Sequence, residues 1–460
     1  MNLKLHKPTH IISSKIKLPG SKSISNRILI IKALSGLSFD IQNLSDSDDT
    51  KHLEEALNKC SNVVCPHCQG FAKSVRDQGT FEEKKDEFTC VNEHFFSKSN
   101  DEIGNYGQTL IDVGHAGTDM RFLTAFLSLK NGTFELTGSG RLQQRPVKDL
   151  VEVLQKLGAD INYKNEEGYP PLLIKGKQLK GGKVEINGSV SSQFITSLLL
   201  IAPYFTDGLE LTINNELVSA PYVDMTIELM KEFGASVNWK DRKITVEPIP
   251  YTYNKKEYLV ESDWSAASYY YSIIALSKIN MKLTISGLFN KSLQADSVCA
   301  DIYKRFEVTT EYLGYEIIIT KFQSSSNNEV FEYDFIQCPD IVQTLACTCI
   351  ALKCPFSFSG LQTLKVKETD RIIALQNEFQ KMGIKLIVSE NTIQWTDNNS
   401  TVIPQQVSIS TYNDHRMAMS FAPLCLVNNE IVIEDAEVVS KSYPLFWEHL
   451  KQVGINQTKV

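Results

Sequence analysis

Leu18-Pro19-Gly20-Ser21-Lys22-Ser23-Ile24-Ser25-Asn26-Arg27 sets small and hydroxylated residues just ahead of an apolar periodic run, which is how a helix begins. Similar starts recur at Gly117-Thr118, Ser191-Ser192-Gln193, Asp263-Trp264-Ser265, Pro339-Asp340 and Asn413-Asp414-His415. With Ser23, Thr118, Ser192, Ser265, Ile341 and His415 as markers, the intervals are 95, 74, 73, 76 and 74 residues. So regular a period means one supersecondary unit copied six times. A second helix in each unit ends in the manner of Leu157-Gly158-Ala159, Phe233-Gly234-Ala235 and Met382-Gly383-Ile384, where glycine suits a left-handed cap before a short alternating strand. Strands such as 183–186, 209–213 and 282–285 lie between the helices. Each unit is therefore a mixed α/β motif, and six copies make two domains of three. The first interval exceeds the others by about 20 residues. Its excess is polar and charged, and it is expected to be a surface insertion at about 60–105.

A chain of 460 residues exceeds what one core usually serves, which agrees with two domains. With 42% hydrophobic and 22% charged residues it is no disordered chain. A net charge of -7 gives no general reason to bind nucleic acid or an anionic membrane, so an anionic ligand needs a local cluster of Lys and Arg. No stretch approaches the 18 or so apolar residues of a membrane span, and residues 1–10 carry no apolar signal core. A cytoplasmic protein, without nucleic-acid or membrane partners, is expected. The ten cysteines are too sparse for a disulfide scaffold and are expected to be reduced.

At the first start, backbone N–H groups and hydroxyls at a helix N-terminus, with Lys22 alongside and Arg27 a turn later, favour an anion. An ordinary capped helix with solvated charges would read the same way. Val366-Lys367-Glu368-Thr369-Asp370-Arg371 crowds four charges ahead of an apolar run, with Lys367 and Arg371 on one helical face. In isolation a solvated helix start explains that segment too, and Arg416 reads either as a phosphate clamp or as a surface charge. The coincidence carries more: all six starts bear polar or ionisable groups, and three add Arg or Lys. Two facing domains would bring them to one cleft, a basic site in an acidic protein.

Residues 18–27, 117–121, Gln144-Arg145-Pro146, 188–194, 367–371 and 413–417 closely resemble the motifs of the 5-enolpyruvylshikimate-3-phosphate synthase family. The resemblance runs from about Lys17 to Pro444 and fails only in the insertion. It implies an α/β fold, a two-domain inside-out α/β prism built from six repeated βαβ-type units. One domain would be discontinuous, 1–20 plus 261–460, and the other would be 21–260. It implies small-molecule substrates, shikimate-3-phosphate and phosphoenolpyruvate, no cofactor, and a monomer. By the same resemblance, shikimate-3-phosphate would be held by Lys22, Ser23, Arg27, Ser191, Ser192, Gln193, Ser219, Tyr222, Asp340 and Lys367. Phosphoenolpyruvate would be held by Lys22, Gly117, Arg121, Arg145, Gln193, Arg371, Arg416 and Lys441, with Arg141 close by. Asp340 would accept the sugar hydroxyl proton, Glu368 would protonate the methylene carbon, and Lys22 would stabilise departing phosphate.

His115, Thr363 and Leu364 depart from the family pattern, but none removes a proposed catalytic group. An enolpyruvyl transferase acting on a UDP-amino sugar, or a non-catalytic relative, are the alternatives. The motifs around Lys367 and the Ser-Ser-Gln triplet oppose the first. The retention of Lys22, Asp340, Glu368 and Arg416 together opposes the second. Within the insertion, Cys65-x2-Cys68 followed by Cys90 and His94 has the ligand types of a structural zinc clip, with Cys60 and His67 nearby. A solvated loop with reduced thiols is the other reading.

Overall fold

Five of the six units build the same four-stranded sheet, in which a parallel pair is extended by two antiparallel strands. In the second unit Thr109–Asp112 runs parallel to Gly132–Thr137, then come Leu172–Gly176 and Asp160–Tyr163, each antiparallel to its neighbour. The third unit repeats this with Gly182–Asn187, Leu209–Asn214, Lys243–Val246 and Val237–Lys240. The parallel strands are joined by the helix whose start marks the repeat, as Gly117–Leu129 joins the pair in the second unit. The computed structural model describes the chain except residues 10, 62, 65–70, 76–85, 91–94, 99–107, 324–328, 397–405 and 429. Of the remaining residues in 61–98 it describes the backbone.

The marker helices are Lys22–Ser35, Gly117–Leu129, Ser192–Ile201, Trp264–Leu276, Val342–Ala351 and His415–Phe421. Most are apolar all round: Trp264, Tyr269, Tyr270, Tyr271, Ile273 and Ile274 of one helix are all buried. Such a helix can only lie inside, with the sheets outside it. The second helices differ, since Lys148–Lys156 buries Leu150, Val151, Val153 and Leu154 along one stripe and leaves the rest polar. Hydroxyls on the inner helices pair with their counterparts in the next unit. Ser268 Oγ donates to Thr344 Oγ1 (3.3 Å), which lies 3.0 Å from Ser420 Oγ, and each step is 76 residues. Thr348 Oγ1 donates to Ser272 Oγ at 2.8 Å, again over 76 residues. Equivalent positions of three units thus meet around one axis, and the three helices are held side by side with their N-termini at the same end. This is the inside-out α/β arrangement.

Buried hydrophobic residues separate into two cores, one within residues 24–260 and one drawn from 3–18 and 264–455. The amino-terminal strands explain the split membership. Leu3–His6 lies between Glu430–Ile433 and Gln457–Lys459 in the sixth unit, and Lys15–Lys17 is the parallel edge of the fourth beside Lys282–Ser286. Glu257–Leu259 likewise pairs back to Asp40–Gln42 in the first unit, whose sheet has two strands among the described residues.

The segment at about 60–105 differs from the plain polar loop of one reading. The helix Asp48–Ser61 includes Cys60, and beyond it Val63–Val64, Phe71–Val75, Asp86–Cys90 and Phe95–Lys98 form an antiparallel sheet. Alternating apolar residues such as Phe71, Phe88 and Phe96 give the physical reason. Cys65, Cys68 and His94 of the zinc reading lie outside the described residues, as does the side chain of Cys90. No helix among the described residues is long and apolar enough to cross a membrane.

The chain passes between the cores at two adjacent points. Gly20 bridges Ser262, the Ser21 amide donates to the Glu261 carbonyl (2.7 Å), and Ser262 Oγ donates to the Leu18 carbonyl (3.1 Å). Glu261 is buried there and accepts from Trp264 Nε1, the Phe289 amide, Ser292 Oγ and Gln294 Nε2. A Cβ on Gly20 would stand 1.8 Å from the Asn43 carbonyl oxygen, so backbone would have to move. Gly20→Ala is expected to destabilise by about 1 to 3 kcal/mol, the usual cost of overpacking. Gly140→Ala, with nothing within 4 Å of its Cβ, serves as the control. Thermal midpoints of the two variants check this, and equal midpoints would contradict it.

Candidate active site

All six marker-helix starts border one cavity of about 370 Å3, through Lys22 and Ser23, Gly117 and Thr118, Ser192 and Gln193, Ser265, Asp340, and His415 with Arg416. The first helix, Lys22–Ser35, and the second, Gly117–Leu129, carry no side-chain cap from Ser21 or Ala116, so their first-turn N–H groups remain open. Ser191, Asp263 and Asp414 cap their own helices by accepting from Gln193, Ala266 and Arg416 amides. The fifth, Val342–Ala351, has no side-chain cap either but follows the carboxylate of Asp340, so anion affinity is concentrated at the first two of the three uncapped ends.

One wall is built on carboxylates. Arg371 is 2% exposed and gives Nε to Asp414 Oδ2 (2.7 Å), Nη1 to Asp340 Oδ1 (3.1 Å) and Nη2 to Glu368 Oε2 (2.9 Å). Asp340 also meets Arg416 Nη2 (3.1 Å) and Lys367 Nζ (3.7 Å) and accepts from Tyr222 Oη (3.0 Å). Burial alone would raise the Asp340 pKa, but Arg416, Lys367 and Arg371 outweigh it and hold the carboxyl well below its usual range. Glu368 is treated likewise: against burial, Lys441 at 3.3 Å and then Arg371 keep it strongly acidic. His415 is buried, and burial followed by Lys22 and Arg416 pushes its pKa well down, leaving a neutral ring 3.0 Å from Ser442 Oγ.

The opposite wall is cationic. Arg121 is buried and Arg145 half-buried, and a Cβ on Gly117 would stand 2.8 Å and 2.3 Å from their Nη1 atoms. Arg121 gives Nη1 to the Gly117 carbonyl (2.7 Å), while Nε of both arginines has no partner. Among the described residues neither pairs with a carboxylate. Burial, and Arg145 beside it, push the Arg121 pKa well down, which is what two guanidinium groups without an anion would show. Lys22 Nζ donates to Asp49 Oδ2 (2.9 Å) and to Ser442 Oγ (3.1 Å), so it links the two cores. Burial would lower its pKa, yet Asp49 and then Glu368 raise it, and the amine stays charged.

Of the residues expected from sequence, the cavity gathers all but Lys441, which pairs with Glu368, and Arg141, which is exposed. Arg27 reaches the wall with most donors already engaged: Nε on Thr226 Oγ1 (2.8 Å), Nη1 on the Ser23 carbonyl (2.7 Å), Nη2 on the Tyr222 carbonyl (3.2 Å). His115 turns away to Ser139 Oγ (2.8 Å), whereas Thr363 lines the cavity and Leu364 is fully buried behind it. Asp49, Gln294, Asp296 and Ser442 also line the cavity and were not expected. They come from loops and a second-helix start, where no repeat marker points to them. Asp119, absent from the expected set, is 0% exposed: Oδ1 accepts from Asn26 Nδ2 (2.8 Å) and Oδ2 has no partner. Burial, with Asp49 adding to it, raises its pKa well above the usual value.

The sequence model of the family described as EPSP synthase (3-phosphoshikimate 1-carboxyvinyltransferase) matches residues 6–450. A 3-phosphoshikimate 1-carboxyvinyltransferase of Bacteroides fragilis (strain YCH46) is 42% identical over 445 residues, 96% of each chain. One from Marinomonas sp. (strain MWYL1) is 36% identical over 96% of this chain and 97% of its own. Among solved structures, EPSP synthase from Acinetobacter baumannii superposes with a TM-score of 0.72 at 20% identity, covering both chains fully.

The buried Asp119 carboxyl makes a pH prediction. A carboxyl whose folded pKa is raised stabilises the fold most below its unfolded value, about 3.9. That contribution is lost as pH rises through the folded value. Asp119→Asn is therefore expected to show a shallower fall of thermal midpoint with rising pH and a higher midpoint at neutral pH. Parallel curves for the two proteins would count against a raised Asp119.

Proposed function

The chain belongs to the EPSP synthase (3-phosphoshikimate 1-carboxyvinyltransferase) family, and from that premise we propose how its cavity divides the chemistry. The reaction moves the enolpyruvyl group of phosphoenolpyruvate to the 5-hydroxyl of shikimate-3-phosphate and releases phosphate, a step of the shikimate pathway. Together the substrates carry two phosphates and two carboxylates, which call for many cationic donors. The observation that carries the division is the pair Arg121 and Arg145 over Gly117, whose buried Nε atoms have no partner and which pair with no carboxylate among the described residues, facing the carboxylates Asp340 and Glu368.

In this reading phosphoenolpyruvate lies against Gly117, Arg121, Arg145 and Gln193, with Lys22, Arg371, Arg416 and Lys441 around it. Shikimate-3-phosphate lies along Ser23, Arg27, Ser191, Ser192, Ser219 and Tyr222, reaching Lys22, Gln193, Asp340 and Lys367. The 5-hydroxyl adds to C2 of phosphoenolpyruvate and gives its proton to Asp340, while Glu368 protonates C3. The tetrahedral ketal then loses phosphate, C3 returns a proton to Glu368, and Lys22 meets the charge on the departing group. Glu368 must hold a proton beforehand, although Lys441 and Arg371 oppose this in the free site. Substrate anions compete for those same cations. Once they are drawn off, burial dominates and favours the neutral acid.

Residues from both cores enclose the cavity, and Lys22 to Ser442 and Tyr222 to Asp340 already span them. This supports closure of two domains, 1–20 plus 261–460 and 21–260, around substrate, with a monomer as the working unit. The free buried cysteines fit the proposed cytoplasmic compartment.

Phosphate release should require both substrates and vanish with either alone. Glu368→Gln and Asp340→Ala should each lower kcat by about 10² to 10⁴-fold, with much smaller changes in KM. Either variant turning over at the parent rate would remove its residue from the scheme.

A further inference from the structure

Asp296 lines the cavity beside Asp340 and has no part in the scheme above. It lies in the turn Ala295–Val298 and is 3% exposed, with Oδ1 lacking any partner. Its Oδ2 accepts from Ser265 Oγ, and Ser265 Oγ in turn accepts from Arg416 Nη2 at 3.4 Å. The same Arg416 nitrogen stands 3.1 Å from Asp340 Oδ2. One guanidinium is therefore shared between the Asp340 carboxylate and a chain that ends on a second buried carboxyl.

We propose that Asp296 is a positioning residue for the base side of the reaction: through Ser265 it competes with Asp340 for Arg416, and so sets how readily Asp340 takes the hydroxyl proton. The inference rests on the assignment of Asp340 as base. Held by three cations, Asp340 is a poor proton acceptor. An ionised Asp296 adds a like charge nearby and draws on Arg416, and both effects raise the basicity of Asp340. A neutral Asp296 leaves Arg416 to Asp340 alone.

The surroundings place this exchange near neutrality. Burial, then Asp340, push the Asp296 carboxyl up to about 7, against Arg416 and the Ser265 hydrogen bond, with Asp263 adding to the rise. Tyr222, Cys299 and Cys338 also face it, but burial pushes all three upward and they keep their protons in this range. Asp296 is thus the group of this cluster whose charge changes around pH 7.

The test is kcat against pH, with both substrates saturating, for the parent, Asp296→Asn, Ser265→Ala and Asp340→Ala. The parent is expected to gain activity through a limb near pH 7. Asp296→Asn should lose that limb and run about tenfold or more slower above it, with KM for shikimate-3-phosphate changed by less than about threefold. Ser265→Ala, which removes a donor to the carboxylate, should move the limb to higher pH. A limb kept unmoved in Asp296→Asn overturns the inference. Should that variant fail to fold by circular dichroism, an unmoved limb in Ser265→Ala overturns it instead. An unmoved limb with an inactive Asp340→Ala leaves the base assignment standing and sinks only the role of Asp296. A fully active Asp340→Ala sinks both.

Discussion

The guanidinium of Arg371 is the contact on which the cavity depends. Asp414, Asp340 and Glu368 converge on it from two units, and all three would repel one another without it. Removing one partner from a buried cluster of this kind costs on the order of 3 to 5 kcal/mol, because a charge is left without compensation. In the free site the carboxylates therefore stay ionised and fixed, and the lobe that holds them keeps few cations to spare. The other lobe shows the complement, with Arg121 and Arg145 stacked over a glycine and without a carboxylate of their own. A dianionic ligand completes the second wall and, in the proposed scheme, competes for the cations that hold Glu368 in the first.

The repeat puts these walls opposite each other. Helices that are apolar on every side have to be central, and hydroxyls at Ser268, Thr344 and Ser420 hold three of them in register. Helices in register end together. Their N-termini and the polar residues before them then share one face of each lobe, so six copies of a modest helix start become one site. No single copy has the charge or the donors to bind such substrates.

This logic was largely legible in the sequence. The markers Ser23, Thr118, Ser192, Ser265, Ile341 and His415 fall at or beside helix starts, and the intervals between them gave the six units and the α/β class. Lys22, Glu368 and Arg416 belonged to quoted motifs because a motif there is a helix start. Asp296, Gln294 and Ser442 were not legible, since they reach the cavity from turns whose position is a matter of tertiary packing, and Asp49 was not because it starts a second helix that no repeat marker singles out. Asp119 was hidden for another reason: within 117–121 it reads as one more polar first-turn residue, and only the packing of Asn26 and Asp49 around it shows that it is buried. Strand sharing was legible only through the family resemblance, which put 1–20 with 261–460. Nothing local to residues 3–6 says that they complete a sheet begun after residue 400.

That sharing has a consequence for biosynthesis. The core within residues 24–260 is nearly continuous in sequence, so a ribosome delivers most of what it needs early, with Glu257–Leu259 as its last strand. Leu3–His6 and Lys15–Lys17 are made long before their partners: Leu3–His6 waits for Glu430–Ile433 and Gln457–Lys459, and Lys15–Lys17 for Lys282–Ser286. Two nascent strands with open edges trail from a lobe that can already pack, and each waiting edge is a template for wrong partners. The lysines that alternate with Leu3, Leu5 and Ile16 give those strands charge while they wait, so strands made long before their partners carry their own safeguard against aggregation.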